Sequence, residues 1–109
     1  MFDLTRFDPA LFAESAGRAA ALLRQLGNEK RLMILCQLAD GERSVGQLQV
    51  PLGLSQSALS QHLAVLRENG IVATRREAQT IHYRIADHAA LQLIQTLAEL
   101  FCPPEMRNP

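Results

Sequence analysis

Residues 54–70 read LSQSALSQHLAVLRENG, and this stretch decides the fold. Ser55 suits a helix cap, because its hydroxyl can accept a backbone N–H that has no partner in the first turn. Leu54 before it and Leu59 after it stand where a hydrophobic staple belongs. Leu59, Leu63 and Leu66 recur at helical spacing as one apolar stripe, and Gly70 sits where a left-handed residue closes a helix. At roughly 100° per residue, Ser57, Ser60, Gln61 and Ala64 take the opposite face. That face is small and polar.

Upstream, Ser44-Val45-Gly46-Gln47 has the capping-box pattern and starts a preceding helix. This helix is expected to be short, because Pro51 lacks an N–H and pushes Val50 out of helical geometry. Two helices joined by a turn containing Gly53 read as a helix-turn-helix over residues 44–69. Downstream, IVATRREAQTIHYRI over residues 71–85 alternates as a β-hairpin. Val72 and Thr74 lie on one arm, and Ile81, Tyr83 and Ile85 on the other.

The flanks are helical. Asp8-Pro9 starts a helix carrying Phe12, Ala16, Ala19, Leu23 and Leu26, which Gly27 ends. Asn28 caps a second one with Leu32, Leu35, Cys36 and Ala39, closed by Gly41. Asp87 caps a last helix in which Ala90, Ile94, Leu97 and Phe101 recur, and Pro103-Pro104 stops it. The order is α-α-α-α-β-β-α, mainly α with a small β-hairpin. This is a winged helix-turn-helix with an added helix at each end, in one domain over residues 1–109.

Composition narrows the function. Hydrophobic residues make up 48% and charged residues 20% of the 109, a globular balance that excludes disorder. No apolar run approaches the ~20 residues of a membrane span, and MFDLTRFDPALF lacks a signal-peptide layout, so a cytoplasmic protein without a membrane partner is expected. Two cysteines exclude a disulfide-rich scaffold. There is no CxxC, no Gly-rich phosphate loop and no pairing of His with carboxylates at ligand spacing, so neither an enzyme nor a cofactor is expected. The formal net charge is zero, yet between Ser55 and Ile85 four Arg stand against two Glu.

A small polar helix face fits closely into a major groove. Ser can meet several base edges, and Gln61 can pair bidentately with adenine. Arg75, Arg76 and Arg84 on the hairpin can neutralise phosphates. Read singly, the helix face is equally a solvated surface. A winged-helix protein-interaction module is the rival reading, and the isoelectric point of 6.8 favours it. The end helices, residues 8–26 and 87–102, carry Ala16, Ala19 and Ala20 together with Leu91, Leu93, Ile94, Leu97 and Leu100. That is more apolar surface than one side of a small core can bury. A homodimer is expected, offering two reading heads to palindromic double-stranded DNA.

The stretches NEKRLMILCQL, LSQSALSQHLAVLRENGIV and TRREAQTIHYRI resemble the ArsR/SmtB family of bacterial repressors over nearly the whole chain. The resemblance implies a dimer formed by the first and last helices, bound to an operator until an effector releases it. It places Gln56, Ser57, Ser60, Gln61 and His62 on the recognition helix, and Arg75 to Gln79 in the wing over residues 71–85. His62 projects near the core edge, so a structural hydrogen bond competes with a DNA contact there. The family's metal positions are not matched. Glu42-Arg43-Ser44-Val45-Gly46-Gln47-Leu48 lacks both thiols of the third-helix box. On the last helix Asp87 and His88 are adjacent, and Leu100 stands where a later ligand belongs. No metal is therefore expected.

Cys36 and Cys102 remain. Taken as residues, both read as small buried hydrophobes. Their placement and the wing sequence REAQT resemble the BigR/SqrR/HlyU subgroup of thiol-based sensors. That resemblance implies a redox-sensing pair, joined by a disulfide or polysulfide bridge when reactive sulfur or another oxidant arrives. A metal-independent regulator with structural cysteines is the alternative.

Overall fold

The computed structural model describes residues 3–103 and residue 105. A short 3-10 turn, Leu4–Arg6, precedes α1 (Pro9–Leu26), α2 (Glu29–Leu38), β1 (Arg43–Ser44), α3 (Val45–Leu52), α4 (Gln56–Glu68), β2 (Val72–Glu77), β3 (Thr80–Ile85) and α5 (His88–Phe101). Each helix begins at the cap the sequence offers. Asp8, Asn28, Ser44, Ser55 and Asp87 all accept first-turn N–H groups, and Ser44 and Gln47 complete a reciprocal capping box. Gly53 (φ 64°) and Gly70 (φ 74°) close α3 and the turn after α4 in the left-handed region that glycine enters without strain. Of the expected stop at Pro103-Pro104, Pro104 lies outside the described residues.

Two expectations are corrected. The hairpin is part of a three-stranded antiparallel sheet, ordered β1-β3-β2. Arg43 pairs with Tyr83 and Ser44 with His82, so a two-residue strand precedes the helix-turn-helix. Its brevity left no alternation to read. Secondly, α3 runs through Pro51 to Leu52. Near the end of a short helix, proline removes a single hydrogen bond, to the Gln47 carbonyl. The Gln49 carbonyl still accepts from the Gly53 N–H at 3.0 Å, and fully buried Leu48 anchors the helix.

The core gathers Ile34, Leu35 and Leu38 of α2, Leu48 of α3, Leu59, Leu63 and Leu66 of α4, Ile71, Val72, and Ala90 and Ile94 of α5. Ile94, grouped with the seam residues in the sequence, is wholly buried within the protomer. Its partners on one helix face are the core, while Leu100 and Phe101 lie exposed. Helix α1 contributes only Leu26 to the buried set and leaves Leu11, Phe12 and Leu23 in solvent. The radius of gyration is 16.0 Å, against ~13 Å for a compact chain of this length.

Candidate nucleic-acid interface and thiol pair

On α4 the stripe Leu59, Leu63 and Leu66 is buried, which turns Gln56, Ser57, Ser60, Gln61 and Ala64 outward. His62 is half-buried at the edge of that face. The side chains available to a groove are therefore the short polar ones, presented by a helix whose own caps are satisfied internally.

The wing's register sorts its residues. Val72 pairs with Ile85, Thr74 with Tyr83 and Arg76 with Ile81, while Ala73 pairs with Arg84, Arg75 with His82 and Glu77 with Thr80. Paired residues share a face, so Arg75, His82 and Arg84 lie on one side and Arg76 on the other. The first side is the outer one, because Tyr83 and Ile85 of the second pack against the core. At the tip, Ala78 adopts φ 56° and Gln79 is exposed.

The three arginines are not equivalent. Arg76 and Arg84 are exposed and form no salt bridge among the described residues. Arg75 donates from Nε and Nη2 to Glu42 at 3.1 and 3.0 Å, and from Nη1 to Glu77 at 3.1 Å. The Arg75 hydrogen bonds hold the Glu42 carboxyl below the usual carboxylate range, aided by the charges of Arg75, His82 and Arg84. Sequence reading missed Glu42, which carries no local signal and lies 33 positions from its partner.

Cys36 lies in the last turn of α2 and Cys102 at the C-terminal cap of α5. Neither is a core residue: Cys36 is exposed and Cys102 half-buried, with no disulfide between them. The two helices pack on each other, bringing Cys102 within electrostatic range of Cys36. Burial around the sulfur, and then the neighbouring Cys102, push the Cys36 thiol above its ordinary value. Among the described residues no cluster of three or more His, Cys, Asp or Glu could hold a metal ion.

Known proteins share this fold. The profile of the bacterial regulatory protein arsR family matches residues 28–74. The chain is 52% identical over 90 residues to the biofilm growth-associated repressor of Agrobacterium fabrum, covering 83% of this chain and 77% of that one. The chain belongs to the ArsR family. Its fold follows that of solved members. Reduced HlyU from Vibrio cholerae N16961 superposes with a TM-score of 0.81 at 48% identity, covering 84% of this chain and 97% of that one. The repressor BigR from Xylella fastidiosa gives a TM-score of 0.80 at 42% identity, covering 89% and 99%. This ArsR-family chain is thus a winged-helix transcriptional regulator with operator DNA as its partner, and not an enzyme. The reading as a protein-interaction module falls with that membership. No helix among the described residues is long and apolar enough to cross a membrane.

Proposed function

We propose that the chain is a cytoplasmic, homodimeric repressor that leaves a palindromic operator when a persulfide or related oxidant links Cys36 to Cys102. The observation that carries the reading is the placement of the two cysteines on packed helices α2 and α5, outside the core and within electrostatic range of each other. One relative is named as a reduced form and two as repressors, which accords with a redox-controlled repressor.

Ser57, Ser60 and Gln61 read base edges, with Gln56 and His62 at the margins of that face. Arg76 and Arg84 neutralise phosphates, and Gln79 meets the backbone from the wing tip. Arg75, already bound to two carboxylates, is set apart from them. The dimer forms through α1 and α5. Exposed Leu11, Phe12, Leu23, Leu100 and Phe101 support it, as does an apolar groove of about 260 Å³ lined by Leu23, Leu32, Leu93 and Leu97.

The chemistry is thiol exchange. A thiolate attacks the outer sulfur of a persulfide RSSH and expels RSH, leaving a hydropersulfide on the protein. A second donor extends it to a hydrotrisulfide. The other cysteine's thiolate then attacks the inner sulfur of that chain and releases hydrosulfide, so a trisulfide joins α2 to α5. The donors are the oxidant. Because Cys36 deprotonates late, it is better cast as the resolving thiol than as the first attacker. Inserted sulfur also spans a gap wider than the roughly 7 Å limit between Cα atoms of a disulfide. A bridge that biases the reading-head spacing by ~1–3 kcal/mol weakens DNA binding roughly 5–150-fold.

A regulator with inert cysteines is the second reading, and the raised Cys36 thiol favours it. The test is Cys36→Ser and Cys102→Ser. Each should bind DNA as the parent does and lose the response to a persulfide donor. Mass spectrometry of the treated parent should show an intrachain product retaining sulfur. A response that survives in either variant, or the lack of that product, returns the cysteines to an inert role.

A further inference from the structure

Every guanidinium nitrogen of Arg75 already donates to a carboxylate, which commits three of its five N–H groups and leaves one on each Nη. The trio Glu42, Arg75 and Glu77 carries a net charge of −1. A phosphate approaching Arg75 meets two carboxylates at hydrogen-bond distance from the same group. Arg76 and Arg84 form no such ion pairs among the described residues.

The placement of the pair is more telling than its charge. The sheet is ordered β1-β3-β2, so β1 and β2 are opposite edges. Arg43 pairs with Tyr83, and continuing that register by one residue sets Glu42 level with Arg84 on the outer face. Arg75 stands across from His82 on that face. The Glu42–Arg75 bond therefore spans the central strand and joins the two edges over it. Glu42 also directly follows the turn that leaves α2, so the bond ties the helix end to the far strand of the wing. A two-residue strand has few ladder bonds of its own, and a bidentate guanidinium fork supplies directional ones.

We infer that Glu42 and Arg75 form a positioning tether that fixes the wing on the end of α2, and that Arg75 does not neutralise a DNA phosphate. The inference rests on the operator-binding reading of the wing. It makes Glu42 a positioning residue for DNA binding, acting through Arg75 and the hairpin. Arg76 and Arg84 supply the wing's phosphate contacts on a hairpin whose angle the tether sets.

The experiment measures binding of the full chain to a labelled random-sequence duplex across a salt series. It compares the parent with R75A, R75K, E42Q, R75A/E42Q and R84A, and records amide hydrogen exchange of the DNA-free proteins. Loss of an exposed pair of this kind changes an equilibrium by up to roughly fivefold. R75A and E42Q should each weaken binding by about 2–5-fold, with the double variant no weaker than either. Their salt slopes should match the parent, whereas R84A should lose about one per wing. R75K keeps the charge and loses the fork, so it should behave as R75A does. Amides of β1 and β2 should exchange faster in E42Q and R75A without DNA.

A salt slope that falls in R75A but not in E42Q makes Arg75 a phosphate contact and overturns the inference. Tighter binding by E42Q makes Glu42 a mask and overturns it also. Unchanged exchange in E42Q removes the tether. An unaltered slope in R84A, with exchange accelerated in E42Q, sinks the wing's phosphate role instead and leaves the tether standing.

Discussion

Replacing Leu23 by Asp separates the stability of the protomer from that of the pair. Leu23 lies on α1 with 59% of its surface in solvent, and the groove it lines is apolar. Fully burying a leucine is worth about 1.5–3 kcal/mol, so covering the exposed share contributes about 1–2 kcal/mol in each protomer. Two-fold symmetry counts it twice, giving about 2–4 kcal/mol, or roughly 30- to 1000-fold in the dimer Kd. The carboxylate's own desolvation adds to this. Within the protomer the substitution removes little, because that surface is already wet. Sedimentation velocity at micromolar concentration should show the parent as a dimer and Leu23→Asp as a folded monomer with unaltered far-ultraviolet circular dichroism. Ile94→Ala is the control: it opens a cavity in the core and should cost about 2–5 kcal/mol of folding stability. A Leu23→Asp variant that sediments as the parent does would refute the reasoning, as would a parent that is monomeric.

Gln61→Ala should reduce the preference for operator over random duplex by about 1–3 kcal/mol with little change in salt slope, which competition titrations measure. Iodoacetamide alkylation of Cys36 in the Cys102→Ser variant should still quicken with pH near 9, because burial continues to hold the thiol above its ordinary value of 9.0. A rate that levels off by pH 8 would place the thiol low and contradict the assignment of Cys36 as the resolving group. Gly70→Ala should cost about 1 kcal/mol in urea unfolding through strain at φ 74°, since a Cβ there meets nothing within 4 Å. Destabilisation well beyond that would mean the turn is held by packing and not by backbone conformation.

What could be read from the sequence is what local physics determines. A cap needs only its own residue and the next turn, so Asp8, Asn28, Ser44, Ser55 and Asp87 announced their helices. The inward stripe of α4 and the pairing faces of the hairpin followed from periods of 3.6 and 2. What escaped depends on partners distant in the chain. Strand β1 exists because β3 is beside it. Ile94 and Leu97 share an apolar helix surface, and only the position of α2 and β3 against α5 decides that Ile94 is core while Leu97 is partly exposed. The Arg75–Glu42 bond needs the sheet register, which the sequence does not spell out. A charged side chain read as available to a phosphate can be committed to a carboxylate once the neighbouring strand is in place.

The strand order also bears on how the free protein stays dispersed in a crowded cell. An open sheet ends in unpaired N–H and C=O groups that can recruit another strand. Here one edge is two residues long, and the other, β2, carries Arg75, Arg76 and Glu77 in succession. A chain of zero formal net charge has no overall repulsion to keep copies apart. That protection must come from local placement, and β2 concentrates it on the edge that is long enough to template growth. Neutral β-formers at positions 75, 76 and 77 would leave β2 an edge without charge, and the same change, expected to weaken DNA binding, would invite fibrous self-association.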